Sequence, residues 1–369
     1  MNVKYLQFLL LLLGFLVLPT ITYGQDEPPP EPYSAEEDQT TLDQFVYLPL
    51  LHNPLSPELI PPYVSTSYYL QDIADQAMLD LGCEIGIEAV DDGSLTRFVH
   101  LHVGQPGVNP DDETIRGIIM HASPPQSPLP QYVAFEDLKQ AVQMLALGYL
   151  DCVPSNDVPL LTLAIGPNND GAHIDFDHGA AWGQWIQEMN AELEVGPSRF
   201  RIQIVGAADL ELGFNGPTET RNWVDGYYSV SAILYNLGTL NGCPSANFPN
   251  FTCGTVEYPD WTLDDMVHIM SGPPGSSFGT RAVPQIYDTA GENARQWTYL
   301  AEYIEDTADY DFRLVGTLSQ AEACQQRGGC EGIDNDPGEA FLQLVFRLIE
   351  ADTVPQNLEF ASDIRWQVR

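Results

Sequence analysis

The chain has 369 residues, 52 of them acidic and 14 basic, with a formal net charge of −38 at neutral pH. A field of that sign repels nucleic acid and anionic membrane surfaces and argues against both as partners. Only 18 % of the residues are charged, so the imbalance reflects scarce Lys and Arg and reads as solubility outside the cell.

Residues 1–24 read as a secretory signal. Lys4 precedes an apolar run, Phe8 to Val17, that is too short to span a bilayer, and Thr22-Tyr23-Gly24 is an acceptable cleavage site. No later stretch is long enough for a transmembrane helix, so no membrane contact is expected once the signal is cleaved. Residues 25–66 are rich in Pro and acid and read as an extended linker, interrupted by the apolar patch Phe45 to Leu51. Residues 67–369 follow without a second Pro-rich break and read as a single domain. Its six cysteines, an even count in an exported chain, imply disulfides. Proximity favours Cys243–Cys253 and Cys324–Cys330, which leaves Cys83–Cys152. No close Cys-x-x-Cys pair is present to start a zinc site.

Along the domain, a helix is predicted over Ser67–Leu81 and a strand over Phe98–Val103. A helix over Phe135–Leu150, a strand over Leu160–Ile165 and a helix over Gly179–Glu192 follow. The strand beginning at Phe200 is the most informative. A short helix over Arg221–Tyr228 and a strand over Ala232–Asn236 come next, then a helix over Trp261–Met270 capped by Asp260. The pattern closes with strands over Val283–Tyr287 and Arg313–Leu318 and helices over Glu292–Ile304 and Gly338–Ala351. Strands alternating with helices imply an α/β fold with a mainly parallel sheet. Repeated βα units over roughly 300 residues fit a TIM-like (β/α) barrel, irregular or incomplete, with disulfide-bonded loops. No Gly-x-Gly-x-x-Gly follows an early strand, so nothing points to a dinucleotide.

Side chains alternate faces along a strand, so Gln203, Val205, Ala207, Asp209 and Glu211 share one face. An apolar strand that turns acidic at its C-terminal end is what a barrel places at its catalytic mouth. Carboxylates two residues apart lie on the order of 6–7 Å apart at Cα and raise each other's pKa, so one keeps a proton near neutrality. That spacing suits an acid/base, Glu211, tuned by a partner, Asp209. Other strand ends are polar as well: Asn168, and Gln285 with Tyr287, are the candidate substrate-binding residues, joined by Trp223 as an aromatic platform for a sugar ring. His100 and His102 share a strand face and offer an alternative metal-ligating pair. The run from His173 to His178 is metal-like, but it falls at a helix start where Asp177 serves as a cap.

The runs Ile165-Gly-Pro-Asn-Asn, His178-Gly-Ala-Ala-Trp182, Gly206-Ala-Ala-Asp-Leu-Glu211, Arg221-Asn-Trp-Val-Asp-Gly226, Pro284-Gln-Ile-Tyr287, Ala294-Arg-Gln-Trp297 and Gly316-Thr-Leu-Ser-Gln320 resemble a family of secreted bacterial proteins with a glycoside-hydrolase-like barrel and no settled activity. More distantly, the Asp-x-Glu strand end is similar to the acidic motifs of lysozyme-type family 25 and chitinase-type family 18 hydrolases. The fuller family 18 pattern places further Asp residues where this chain has Val205 and Ala207. The expectation is a secreted, monomeric, cofactor-free glycoside hydrolase acting on peptidoglycan or another extracellular polysaccharide. The alternatives are a barrel that binds glycan without cleaving it and a metal-dependent hydrolase built on His100 and His102.

Overall fold

The computed structural model describes residues 61–367, apart from 62, 94, 121–130, 155–158, 169–172, 194–200, 232, 247–251, 274–278, 308–311 and 352–357. The expected signal, the apolar patch at 45–51 and the linker up to residue 60 lie outside the described residues.

Strand β1 (Val64–Tyr69) leads to helix α1 (Asp75–Asp91). Strand β2 (Thr96–His102) is followed by three short strands, β3 (Gln105–Asn109), β4 (Asp112–Met120) and β5 (Gln131–Ala134), and then by α2 (Phe135–Cys152). Regular βα units come next: β6 (Leu160–Gly166) with α3 (Phe176–Leu193), β7 (Ile202–Ala208) with α4 (Pro217–Val230), β8 (Leu234–Asn236) with α5 (Leu263–Ser271), and β9 (Arg281–Ala282) with α6 (Glu292–Thr307). The chain then runs through β10 (Arg313–Leu314), β11 (Gly316–Ser319), α7 (Ala321–Gln326), α8 (Pro337–Glu350) and β12 (Phe360–Trp366).

The main sheet has the order β10-β9-β8-β7-β6-β2-β1-β12-β11, and its pairings are parallel. β10 and β11 are consecutive pieces of one extended run, separated only by Val315. That run pairs with β9 on one side and β12 on the other, so the sheet closes on itself. The seam carries hydrogen bonds from Val315 N to Ala282 O (2.9 Å), Leu318 N to Pro284 O (2.8 Å) and Ile286 N to Leu318 O (2.9 Å). With β10 and β11 counted as one stave, the ring has eight. This is a (β/α) barrel of the TIM type.

Alternation sorts the residues into two apolar layers. Val99, Leu101, Leu161, Leu163, Ile165, Ile202, Ile204 and Leu234 point outward into the core shared with the helices. Phe98, Ala164, Val205, Ala207, Leu237, Val283, Leu318, Phe360 and Ile364 fill the barrel. Phe98 and Phe360 stack at 4.3 Å between centroids, and Tyr63 and Tyr235 flank them to form an aromatic floor. Aliphatic and small residues rise above it.

Two helix pairs approach through glycine. A Cβ on Gly148 of α2 would lie 2.1 Å from the Leu79 carbonyl oxygen of α1, and one on Gly82 would lie 2.0 Å from that of Leu145. Between α3 and α4, Gly179 and Gly226 make the same kind of backbone approach. The Cys83–Cys152 disulfide staples α1 to the end of α2, and Cys243–Cys253 and Cys324–Cys330 tie loops, which are the pairings that proximity favours. Three disulfides point to an oxidising environment. No described helix is long and apolar enough to cross a membrane.

Several local expectations are corrected. Ser67, Tyr68 and Tyr69 belong to β1, and the helix expected from Ser67 begins at Asp75. The cap of α5 is Thr262, whose hydroxyl accepts from Asp265 N while the Asp265 carboxylate accepts from Thr262 N, so Asp260 is not the cap. At the start of α3 the cap is the Asp175 carboxylate, which accepts from His178 N at 2.7 Å, in place of Asp177. Strands β3 to β5 and β12 were not anticipated.

Candidate active site

β7 enters the barrel wall between β6 and β8. Its inward residues Val205 and Ala207 lead to Asp209, the first residue beyond the strand. Asp209 N donates to Pro167 O at 3.0 Å, so the loop after β6 fixes where the carboxyl begins. The Asp209 side chain is 4 % exposed, and its Oδ1 accepts from Gln285 Nε2 at 2.8 Å. Gln285 also donates to Leu237 O at 2.6 Å, which anchors the amide across β8. Glu211 is 8 % exposed, and its Oε2 accepts from Thr239 N at 3.3 Å. Burial, then the charge of Glu211, pushes the Asp209 carboxyl well above the ordinary carboxylate range, and the Gln285 bond offsets this in part.

Two phenols complete the floor of this site. Tyr69 ends β1 and Tyr287 lies just past the Gln285–Leu318 bridge. Burial, reinforced by Asp209 and Glu211, raises both pKa values. Asn293, at the start of α6, accepts from the backbone N of Tyr287 and Asp288 (3.0 and 3.1 Å) and so sets the chain past β9. The Tyr69 ring also packs on His102 (4.9 Å between centroids) and stacks on Trp366 at the end of β12 (4.5 Å). Arg327, just after α7, places its guanidinium 3.6 Å from the Trp366 ring centroid.

The structure thus gathers Asp209, Glu211, Gln285 and Tyr287 at the C-terminal mouth of the barrel. Asn168 ends the neighbouring β6 loop, 7 % exposed, with its N donating to Gly104 O at 2.6 Å. Trp223 is elsewhere, and this corrects its expected role as a platform. It is fully buried among the helices, stacked on Tyr227, with Nε1 donating to His178 Nδ1 at 3.0 Å. His178 Nε2 in turn lies 2.9 Å from Gly117 O, and burial lowers its pKa to about 4, so this histidine is a neutral structural link.

His100 and His102 do lie together inside the barrel, with ring centroids 3.8 Å apart. Among the described residues no third His, Cys, Asp or Glu joins them in a metal-binding group. Burial lowers the His100 pKa to about 3. Sequence reading missed Tyr69, Trp366 and Arg327. The aromatic residue at each strand end was the available signal.

No family model matches this chain, and no curated protein matches it. Among solved structures, an endo-1,4-beta-mannanase from Rhizomucor miehei is similar at 11 % identity, covering 84 % of this chain and 87 % of the mannanase, with a TM-score of 0.35. A sugar phosphate isomerase/epimerase from Parabacteroides distasonis is similar at 8 % identity, covering 83 % and 88 %, with a TM-score of 0.36. At these values neither bears on function, and the barrel assignment rests on strand order, parallel register and closure.

Proposed function

We propose that this is an exported glycoside hydrolase acting on an extracellular polysaccharide through Glu211 and Asp209. The observation that carries the reading is the pair itself: two carboxyls at the barrel mouth, one held above the ordinary carboxylate range by burial and by the other's charge. Such a pair keeps one proton near neutral pH, which is what protonation of a leaving sugar oxygen requires. Asp209 is the deeper and more tightly held member, and it stores and tunes the proton. Glu211 delivers it to the glycosidic oxygen and then accepts one from water. Gln285 keeps Asp209 in register. The three disulfides support export, and N-terminal sequencing of the protein recovered from the growth medium tests it: a mature chain starting near residue 25 is expected, and a chain retained in the cell overturns it.

The catalytic reading is tested by reducing-sugar release from mannan, peptidoglycan, chitin and acidic polysaccharides. Glu211→Gln is expected to lower turnover by about 10²–10⁴-fold with a melting temperature close to wild type. Unchanged turnover would sink the assignment. The low exposure of both acids favours a second reading, a barrel that binds glycan without cleaving it. Retention on one of these polymers by the wild type with no sugar released would select it.

A further inference from the structure

The chain carries 14 basic residues against 52 acidic ones, so a guanidinium left without a carboxylate stands out. Arg97, Arg116, Arg221, Arg295, Arg347 and Arg365 each form ion pairs. Arg327 and Arg281 form none among the described residues, and of the two Arg327 is the exposed one. Its position is nonetheless fixed. The Gln326 side chain clasps the backbone of Trp366, donating from Nε2 to Trp366 O (3.0 Å) and accepting from Trp366 N (2.6 Å). The Arg327 guanidinium then sits over the indole, its Cζ 3.6 Å from the ring centroid. Gly328 and Gly329 follow at φ +95° and +103°, where a side chain is disfavoured, and the Cys324–Cys330 disulfide closes the loop.

Trp366 stacks on Tyr69 and carries Arg327, and Tyr69 lies within electrostatic reach of Asp209, Glu211 and Arg327. The guanidinium and the carboxyl pair are therefore both near this tyrosine at the mouth. Stacking occupies one face of the guanidinium and leaves its N–H edge free to grip a planar anion in two parallel hydrogen bonds, the geometry that carboxylates offer.

We propose that Arg327, seated on Trp366, is a subsite for the carboxylate of an acidic sugar, so that the substrate is a polysaccharide containing uronic acid. This rests on the glycoside-hydrolase reading above. The negative surface does not forbid it, because at about 0.15 M salt charges more than about 8 Å away are largely screened, whereas a contact pair persists. A uronate ligand is therefore expected to bind no more weakly, and even more tightly, when salt rises from a few millimolar to that level.

The test uses the whole mature protein, an oligogalacturonate probe and the same oligosaccharide with its carboxyls reduced to alcohols. Affinity is read by calorimetry, and released reducing ends are read in the same samples. Wild type is expected to bind the acidic probe about tenfold or more tightly than the neutral one, as loss of a charge-assisted pair implies. Arg327→Gln is expected to erase that preference and leave affinity for the neutral probe unchanged. Arg327→Met, which keeps the stem packed on Trp366, repeats the test should the Gln variant prove unstable. Selective binding that Arg327→Gln abolishes, with no cleavage, upholds the subsite and sinks the hydrolase reading. Cleavage with equal affinity for both probes, or a preference that survives both variants, overturns the subsite and leaves the hydrolase reading standing. Failure to bind either probe overturns the subsite, while the hydrolase reading stands or falls on sugar release from the polymers above.

Discussion

Asp209 is a residue whose stability cost and proposed chemical use have the same origin. Its carboxyl is raised by burial and by Glu211, so the folded chain binds a proton there that the unfolded chain releases. The contribution to stability is full below the unfolded carboxylate pKa, near 4, and is lost as pH rises toward the higher folded value, by about 1.4 kcal/mol per pH unit. Asp209→Asn keeps an oxygen to accept from Gln285 and removes the titration. Its melting temperature is therefore expected to match wild type near pH 4 and to exceed it increasingly toward pH 7, while activity falls. A variant less stable than wild type at pH 7 contradicts this account. The pair was legible in the sequence because a strict period of two along β7 ended in acids. Trp223 was misread because its neighbourhood in sequence, just past Glu211, says nothing about which side of α4 it occupies. Tyr69 was missed because the inward face of β1 carries Ser65 and Ser67 in place of an apolar stripe, and Trp366 because Ser362 interrupts the inward face of β12 between Phe360 and Ile364, with Ser67 Oγ and Ser362 Oγ 2.7 Å apart.

Among the elements, the βα units from β6 to α5 were read nearly whole, whereas the strand expected over Val283–Tyr287 is β9 at Arg281–Ala282, with Gln285 making only an isolated bridge to Leu318. The small antiparallel sheet of β3, β4 and β5 was not read, because Pro106, Gly107 and Gly117 dilute its pattern. The Asn109-Pro-Asp-Asp112 turn, in which Asn109 Oδ1 accepts from Asp111 N at 2.8 Å, was its available signature. The helix pairs make their own prediction. An exposed helical glycine gains about 1 kcal/mol on replacement by alanine. Gly148 faces a backbone carbonyl that cannot turn aside, so Gly148→Ala is expected to destabilise by about 1–3 kcal/mol, the usual cost of overpacking. Chemical denaturation reads this directly. Equal or higher stability would mean that α1 and α2 slide apart at no cost.

For the whole molecule, acid stability is set in part from inside the barrel. His100 and His178 have folded pKa values lowered to about 3 and about 4, chiefly by burial. Unfolding lets each take a proton below about pH 6.5, so each weakens the fold as pH drops from there toward its folded value, by up to about 1.4 kcal/mol per unit. His100→Gln should flatten that acid slope and leave the rest of the curve in place. An identical slope would show that His100 does not stay neutral in the folded chain. The pairing of β1 with β12 has a different consequence. β1 and β12 lie side by side although Ser67 and Ser362 are 295 residues apart in the chain, and these two strands deliver Tyr69 and Trp366 to the mouth. The ring can therefore shut only after Phe360–Trp366 has been synthesised, and a chain cut short before Phe360 exposes two bare sheet edges that invite association with other chains. Such a truncated chain also lacks the Trp366 ring that stacks on Tyr69, so closure of the barrel and assembly of the mouth are one event.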